Sequence, residues 1–309
     1  MAARNPSNVA LGLGLLLTVF LWGGTNAGTK FVLGSWPPVW TGGSRFLSAG
    51  LVLLGILAWT DWLGPGAPLD PPLRRALWWR GGLSLAVYIL VFNLAVRYTA
   101  VSHVTLYLGA APVWALFWEG RPAMAWGTLQ RYGAASLALG GVLVLLGPAA
   151  LGGGGNWRGE VLGLAASVLW TNYGHQCRVL GVRLPGAQSS AHTMWRAGVL
   201  LLPLGLVEIW RAGGLAWRTD LVCVHAYCIL AGGVAAFAIW NQALRYWPTS
   251  RVLLFNNLVP VSTMAWAWAC LNEPVTRTFW LAMVLVAAGV ILGQANWRAI
   301  PAPSRCGSY

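Results

Sequence analysis

Charge is what this sequence has least of. Only 9% of its 309 residues are Asp, Glu, Lys or Arg, 57% are hydrophobic, and the mean hydropathy is +0.62. Soluble domains carry about 25% charged residues, so this chain cannot clothe a water-facing surface and reads as an integral membrane protein. Acidic groups are the scarcest. Asp61, Asp70, Glu119, Glu160, Glu208, Asp220 and Glu273 are all there are, and each falls in a loop or at the end of an apolar run. A carboxylate relay for protons or sodium in mid-membrane is therefore not visible, which favours facilitated or gradient-driven movement, or coupling through an imidazole.

Other absences exclude other chemistry. The five cysteines (177, 223, 228, 270 and 306) have no metal-ligand spacing and read as free thiols. The glycine run 152–155 lacks the lysine and the Ser/Thr of a phosphate loop and reads as the link between two halves. No nucleophile–base set or cofactor motif is present, so neither an enzyme nor a bound cofactor or metal is expected. Lysine is almost missing: nineteen Arg stand against one Lys. The net charge of +13 would suit nucleic acid, but the arginines stand singly between apolar runs, as cytoplasmic-side anchors do, and no nucleic-acid partner is expected.

What the chain does have is long apolar runs. A spanning helix needs about 20 mostly apolar residues, and ten such runs lie near 9–32, 38–60, 78–97, 102–118, 127–148, 159–181, 189–210, 222–246, 250–270 and 276–296. Breakers such as Pro37-Pro38, the stretch 61–75, Pro185-Gly186, Gly213-Gly214 and Glu273-Pro274 separate them. Arg4 before the apolar run from Val9 has the look of a signal peptide, but that run continues for over twenty residues and is expected to stay as a helix.

The chain is also written twice. Asn93–Val113 and Asn241–Val261 align without a gap at an offset of 148, with nine of 21 positions identical, among them Asn93/Asn241, Arg97/Arg245, Ser102/Ser250 and Pro112/Pro260. Unrelated apolar segments would share roughly two or three. The same offset pairs Leu21-Trp22 with Leu169-Trp170 and Gly141 with Gly289. Ten helices in two halves, 9–148 and 159–297, give five plus five; five is odd, so the second half enters from the opposite side. The expected fold is thus all-α, a 5+5 inverted repeat of the kind used for alternating access. With the N-terminus inside, twelve Arg fall on the cytoplasmic side against six Lys or Arg opposite, which places both termini in the cytoplasm.

Ten helices in two five-helix halves, with Leu21-Trp22 and Leu169-Trp170 in the first helices and Arg-Tyr…Pro in the third and fourth, resemble the drug/metabolite transporter superfamily. The EamA-type exporters, and among them the aromatic amino-acid exporters, are the nearest likeness. Glu273-Pro274 followed by a small-residue helix is similar to that group's ending, whereas Glu119 does not fit the corresponding spacing in the first half, and no role is carried onto it. The resemblance implies a bacterial inner-membrane location and a central cavity lined by the first, third and fourth helices of each half.

Polar and aromatic groups inside the runs are the candidate site. An amide in hydrocarbon is costly unless paired, so such groups should face the bundle or a wet cavity. Trp22, Asn26, Tyr88, Tyr107, Trp170, Tyr173 and Trp240 are expected to hold substrate. Lys30, Asn93, His103, His175, Asn241, Asn256 and Asn257 are possible polar lining, with helix–helix hydrogen bonding the equal alternative for Asn93 and Asn241. Pro112 and Pro260, each inside a helix, would act as pivots. Most of the 21 Trp, Trp59 among them, sit at helix ends as interfacial belts; His192 and His225 read as surface or packing residues. The expected function is export of small metabolites, amino acids with aromatic or bulky neutral side chains leading. An exporter of lipophilic cations or drugs is the alternative, and an intramembrane enzyme or a non-transporting scaffold stands behind it. The bilayer and a small molecule are the expected partners, and a monomer the expected unit.

Overall fold

The computed structural model describes residues 6–60, 63, 66–98, 104, 107–109, 111, 114–115, 126–151, 157–271 and 277–294. Among these the chain is helical, and no strand occurs. The helices are α1 (Asn8–Leu33), α2 (Pro38–Trp59), α3 (Pro71–Tyr98), α4 (Trp126–Leu151), α5 (Trp157–Gly181), α6 (Gly186–Arg211), α7 (Thr219–Tyr246), α8 (249–271) and α9 (Arg277–Gln294). Five of them, α1, α2, α3, α6 and α7, are long and apolar enough to cross a bilayer. The run expected at 102–118 falls largely outside the described residues, as do His103 and Pro112.

Sequence explains where the helices begin. Ser7 caps α1 by accepting from the Ala10 amide at 3.1 Å, and Asp70 caps α3 by accepting from Leu73 at 3.0 Å, with Pro71 and Pro72 in the first turn where no amide is missed. The cap moves the start of α3 to residue 71, seven residues earlier than the apolar run begins. Helix α2 starts with Pro38 and has no side-chain cap of its own. Its cap comes from another helix: Glu208 of α6 accepts from the Val39 and Trp40 amides at 2.7 and 3.1 Å, placing a carboxylate at the positive end of α2. At the opposite end of the same helix pair, Gln188 both accepts from and donates to the Ala67 backbone at 2.8 Å, and Arg183 donates to Asp70 at 2.7 Å.

The tightest packing lies between α2 and α6, which run antiparallel, Gly43 against Leu201, Leu47 against Gly198 and Gly50 against Trp195. A Cβ built on Gly50 would meet the Trp195 amide nitrogen at 2.4 Å, and one on Gly198 would meet the Leu47 nitrogen at 2.6 Å. Glycine is what allows the two backbones to touch, as small residues do between helices in lipid. Gly50 and Gly198 stand 148 residues apart, as do Leu47 and Trp195, so each helix offers its glycine to the other's equivalent side chain. The same exchange joins α4 and α9: Gly141 faces Val286 and Ala282, and Gly289 faces Ala138 and Ala134. These are self-complementary contacts of the two-fold kind.

Two irregularities were not legible beforehand. The third helix of each half carries a π segment, Leu77–Leu83 in α3 and Cys228–Ala236 in α7, and α8 passes through a 3-10 turn at Leu254–Leu258. Such interruptions redirect backbone carbonyls within an otherwise continuous helix and often mark functional sites.

Candidate functional site

Helix α1 packs antiparallel along α7, with polar contacts between them. Trp247 Nε1 donates to Asn8 at 3.1 Å, Thr18 to the Ala236 carbonyl at 3.3 Å, and Trp22 Nε1 to the Gly232 carbonyl at 3.1 Å. The last two acceptors belong to the π segment, so the irregular backbone fixes the orientation of Trp22. Around that indole lie the rings of Trp240, Phe237 and Trp170, at 4.9, 5.3 and 5.5 Å. Trp170 stacks on Trp240 at 5.6 Å and meets Tyr88 at 4.9 Å. The aromatic cluster joins the two halves.

Beside it is a cavity lined by Trp22, Thr25 and Asn26 of α1, Arg45 and Phe46 of α2, and Tyr88, Ile89, Phe92 and Asn93 of α3. Leu108, Trp170 of α5, Gly232 and Phe237 of α7, and Asn256, Val259 and Pro260 of α8 complete it. None of the described lining residues is acidic. The side chains of Asn26 and Asn256 have no hydrogen-bond partner among the described residues. Arg45 donates Nη1 to Thr29 Oγ1 at 2.9 Å and lies 4.6 Å from the Phe46 ring centre, with no carboxylate beside it among the described residues.

The structure therefore brings Trp22, Asn26, Tyr88, Trp170, Asn93, Asn256 and Pro260 to one cavity, and places other expected residues elsewhere. Tyr173 and Trp240 have no exposed surface and pack behind Trp170, where Tyr173 shares a hydrogen bond with Thr193 at 3.1 Å. Tyr107 lies against Gly163 of α5. Lys30 is exposed near the end of α1, because its position falls on the lipid- or water-facing side one turn beyond the cavity. His175 belongs to a separate recess with Trp79, Arg80, Ser84, Asn172 and Gln176. Asn257 is fully buried away from the cavity lining. His225, read as a packing residue, is buried beside Trp36 and within 3.1 Å of the Ser44 hydroxyl.

Asn93 and Asn241 bind helix to helix. Asn93 Nδ2 donates to the Pro38 carbonyl at 2.7 Å. Asn241 Nδ2 donates to Ser190 Oγ at 2.7 Å, and Ser190 in turn to Gly186 and Phe237 carbonyls at 3.0 and 2.8 Å. Position 190 corresponds to Gly42 in the first half, where a Cβ would sit 2.5 Å from Asn93 Nδ2. One half bonds directly through the space a glycine leaves, and the other through a serine hydroxyl set in that space.

Sequence reasoning passed over Arg45, Phe46 and Phe237. Arg45 carried a visible signal, a lone cation eight residues into a 22-residue apolar helix. The two phenylalanines carried none, since apolar residues in apolar runs reveal no facing.

Comparison with known proteins follows the same duplication. The family model described as "EamA-like transporter family" matches twice, at residues 11–147 and 157–293. The chain is 26% identical over 293 residues to the "Uncharacterized inner membrane transporter YedA" of Escherichia coli (strain K12), covering 93% of this chain and 92% of that one. It is 23% identical over 291 residues to an "Uncharacterized transporter" of Archaeoglobus fulgidus, covering 91% and 96%. A solved structure titled "Crystal structure of protein" superposes with a TM-score of 0.74 at 18% identity, over 94% of this chain and 99% of the other, and shares the fold.

Proposed function

Because the chain belongs to the EamA-like transporter family, and so is a multi-pass inner-membrane transporter, we propose that it exports small metabolites by alternating access through the cavity between its halves. Ten helices in a 5+5 inverted repeat, residues 9–148 and 159–297 with both termini in the cytoplasm, are the architecture this reading uses. Amino acids with aromatic or bulky neutral side chains are the leading substrates.

The observation that carries the reading is the aromatic wall: Trp22, Tyr88 and Trp170 line a cavity to which helices of both halves contribute. Indole and phenol rings give large, flat, rigid contact area suited to an aromatic or bulky apolar body. The amides of Asn26 and Asn256 offer polar handles to the head of the same molecule. An exporter of lipophilic cations would call for an acidic group in the lining, and none of the described lining residues is acidic.

The test is counterflow in proteoliposomes with labelled phenylalanine, tryptophan, leucine and a quaternary ammonium compound. Exchange of the amino acids is expected, and movement of the ammonium compound alone would overturn the substrate class.

A further inference from the structure

We propose that Arg45 is the anchor for a carboxylate on the transported molecule, so that the protein selects molecules carrying a single negative group on an apolar or aromatic body. The inference rests on reading the central cavity as the substrate site and specifies what that site recognises.

A guanidinium inside a membrane helix is expensive unless its charge is compensated. Arg45 has five N–H donors, and the protein occupies one of its nitrogens, with the Thr29 hydroxyl at 2.9 Å. Phe46 supplies a ring face at 4.6 Å, and no carboxylate of the described residues lies within ion-pair distance. Arg45 is among the residues that line the cavity. A planar fork left open toward an apolar chamber fits a planar carboxylate by two parallel hydrogen bonds.

The duplication supplies an internal control. The position equivalent to Arg45, 148 residues on, is Thr193, which is fully buried and satisfied by the Tyr173 hydroxyl at 3.1 Å. Tyr173 in turn stands where the first half has Thr25. The second half thus closes the same place with a neutral tyrosine–threonine pair, and the first half opens it with a smaller threonine and a cation. Packing at this crossing does not demand an arginine.

Charge count narrows the ligand. Among the described lining residues there is one cation and no anion, which matches one negative charge; a phosphate dianion would want more. The amides of Asn26 and Asn256 add neutral donors, so the described lining holds donors and no charged acceptor. An ammonium group would be served only by the amide oxygens of Asn26 and Asn256.

The experiment uses the full chain in proteoliposomes and a matched set: phenylalanine, 3-phenylpropionate, 2-phenylethylamine and leucine. Wild type should exchange both aromatic carboxylates and leave 2-phenylethylamine at background. Arg45→Gln should lower exchange of the carboxylates about 30-fold, the loss expected when one partner of a desolvated charged pair is removed, and Arg45→Lys should recover part of it. Arg97→Gln, which removes an exposed cation at the end of α3, should change nothing. Exchange of 2-phenylethylamine as fast as of phenylalanine by wild type would overturn the inference without any variant, as would an Arg45→Gln protein that keeps wild-type selectivity, or no exchange of any carboxylate. Exchange of leucine with no aromatic carboxylate would retain Arg45 as the anchor and refute the aromatic substrate reading; exchange of the amine alone would refute both.

Discussion

Replacing Gly50 by alanine tests the packing at the centre of the fold. The added Cβ would lie 2.4 Å from the amide nitrogen of Trp195 and 2.9 Å from its Cα. Both are backbone atoms of α6, so no side chain can swing aside; the two helices must separate by about 1 Å to restore contact near 3.5 Å. Such overpacking costs about 1–3 kcal/mol. Alanine is also the better helix former by up to about 1 kcal/mol, which offsets part of the loss. Gly55, on the same helix, has nothing within 4 Å of its built Cβ. Gly55→Ala gains the same helix propensity without the clash, so the difference between the two variants isolates the crossing. Thermal unfolding in detergent should place Gly50→Ala several degrees below Gly55→Ala, with Gly198→Ala similar to Gly50→Ala. The double variant should lose less than the sum of its singles, because the first alanine has already parted the helices. Equal melting of Gly50→Ala and Gly55→Ala would refute the close approach.

Trp22→Ala and Trp170→Ala should weaken transport strongly, removing on the order of 2 kcal/mol or more of binding, while Trp59→Ala, at a position 89% exposed, should leave it near wild type at equal membrane abundance. Asn241→Ala and Ser190→Ala should each lower stability by about 0.5–2 kcal/mol, with strong non-additivity in the double variant, since they share one hydrogen-bond chain; strict additivity in a double-mutant melt would break that chain. The Arg183 guanidinium and the Leu73 amide hold the Asp70 carboxyl below its ordinary 3.8. A lowered acid stabilises above the unfolded value, and that contribution is lost as pH falls through the native one. Asp70→Asn should therefore melt below wild type at neutral pH, and the gap should close under more acidic conditions than pH 3.8; a gap independent of pH would dismiss the tie. A single cysteine at residue 66 should resist impermeant reagents in intact cells, and labelling from outside would overturn the proposed orientation.

Much of this was legible in the order of residues. Run length and breakers place the described helix ends within about three residues, the start of α3 excepted, because hydrocarbon forbids unpaired backbone, and the offset of 148 reappears as matched contacts, Gly50 on Trp195 and Gly198 on Leu47. Facing was legible only where polarity marked it. Trp22, Asn26 and Tyr88 line the cavity, yet Tyr173 and Trp240, equally aromatic, turn into the packed cluster, since an indole or phenol is at home in either setting. Asn93 and Asn241 align in the sequence but bind through different groups, because the neighbour that decides is Gly42 in one half and Ser190 in the other. The π segments left no mark: a π turn differs from an α turn by one residue and asks for no special composition. Glu208 looked like a helix-end charge and is one, but the helix end it serves is that of α2, a partner that spacing within one run cannot name.

The seam between α2 and α6 has a mechanical meaning. Its two sides are copies of one surface, each glycine seated on the other side's equivalent residue, so exchanging the conformations of the two halves turns the seam into itself. Any contact between unlike surfaces must be broken and rebuilt when a transporter of duplicated design changes the side it faces. A contact that is its own image can stay closed throughout. In the alternating access proposed for this protein, the α2–α6 pair, with Arg45 on it, is the fulcrum, and the helices that bear Trp22 and Trp170 are the levers that swing about it.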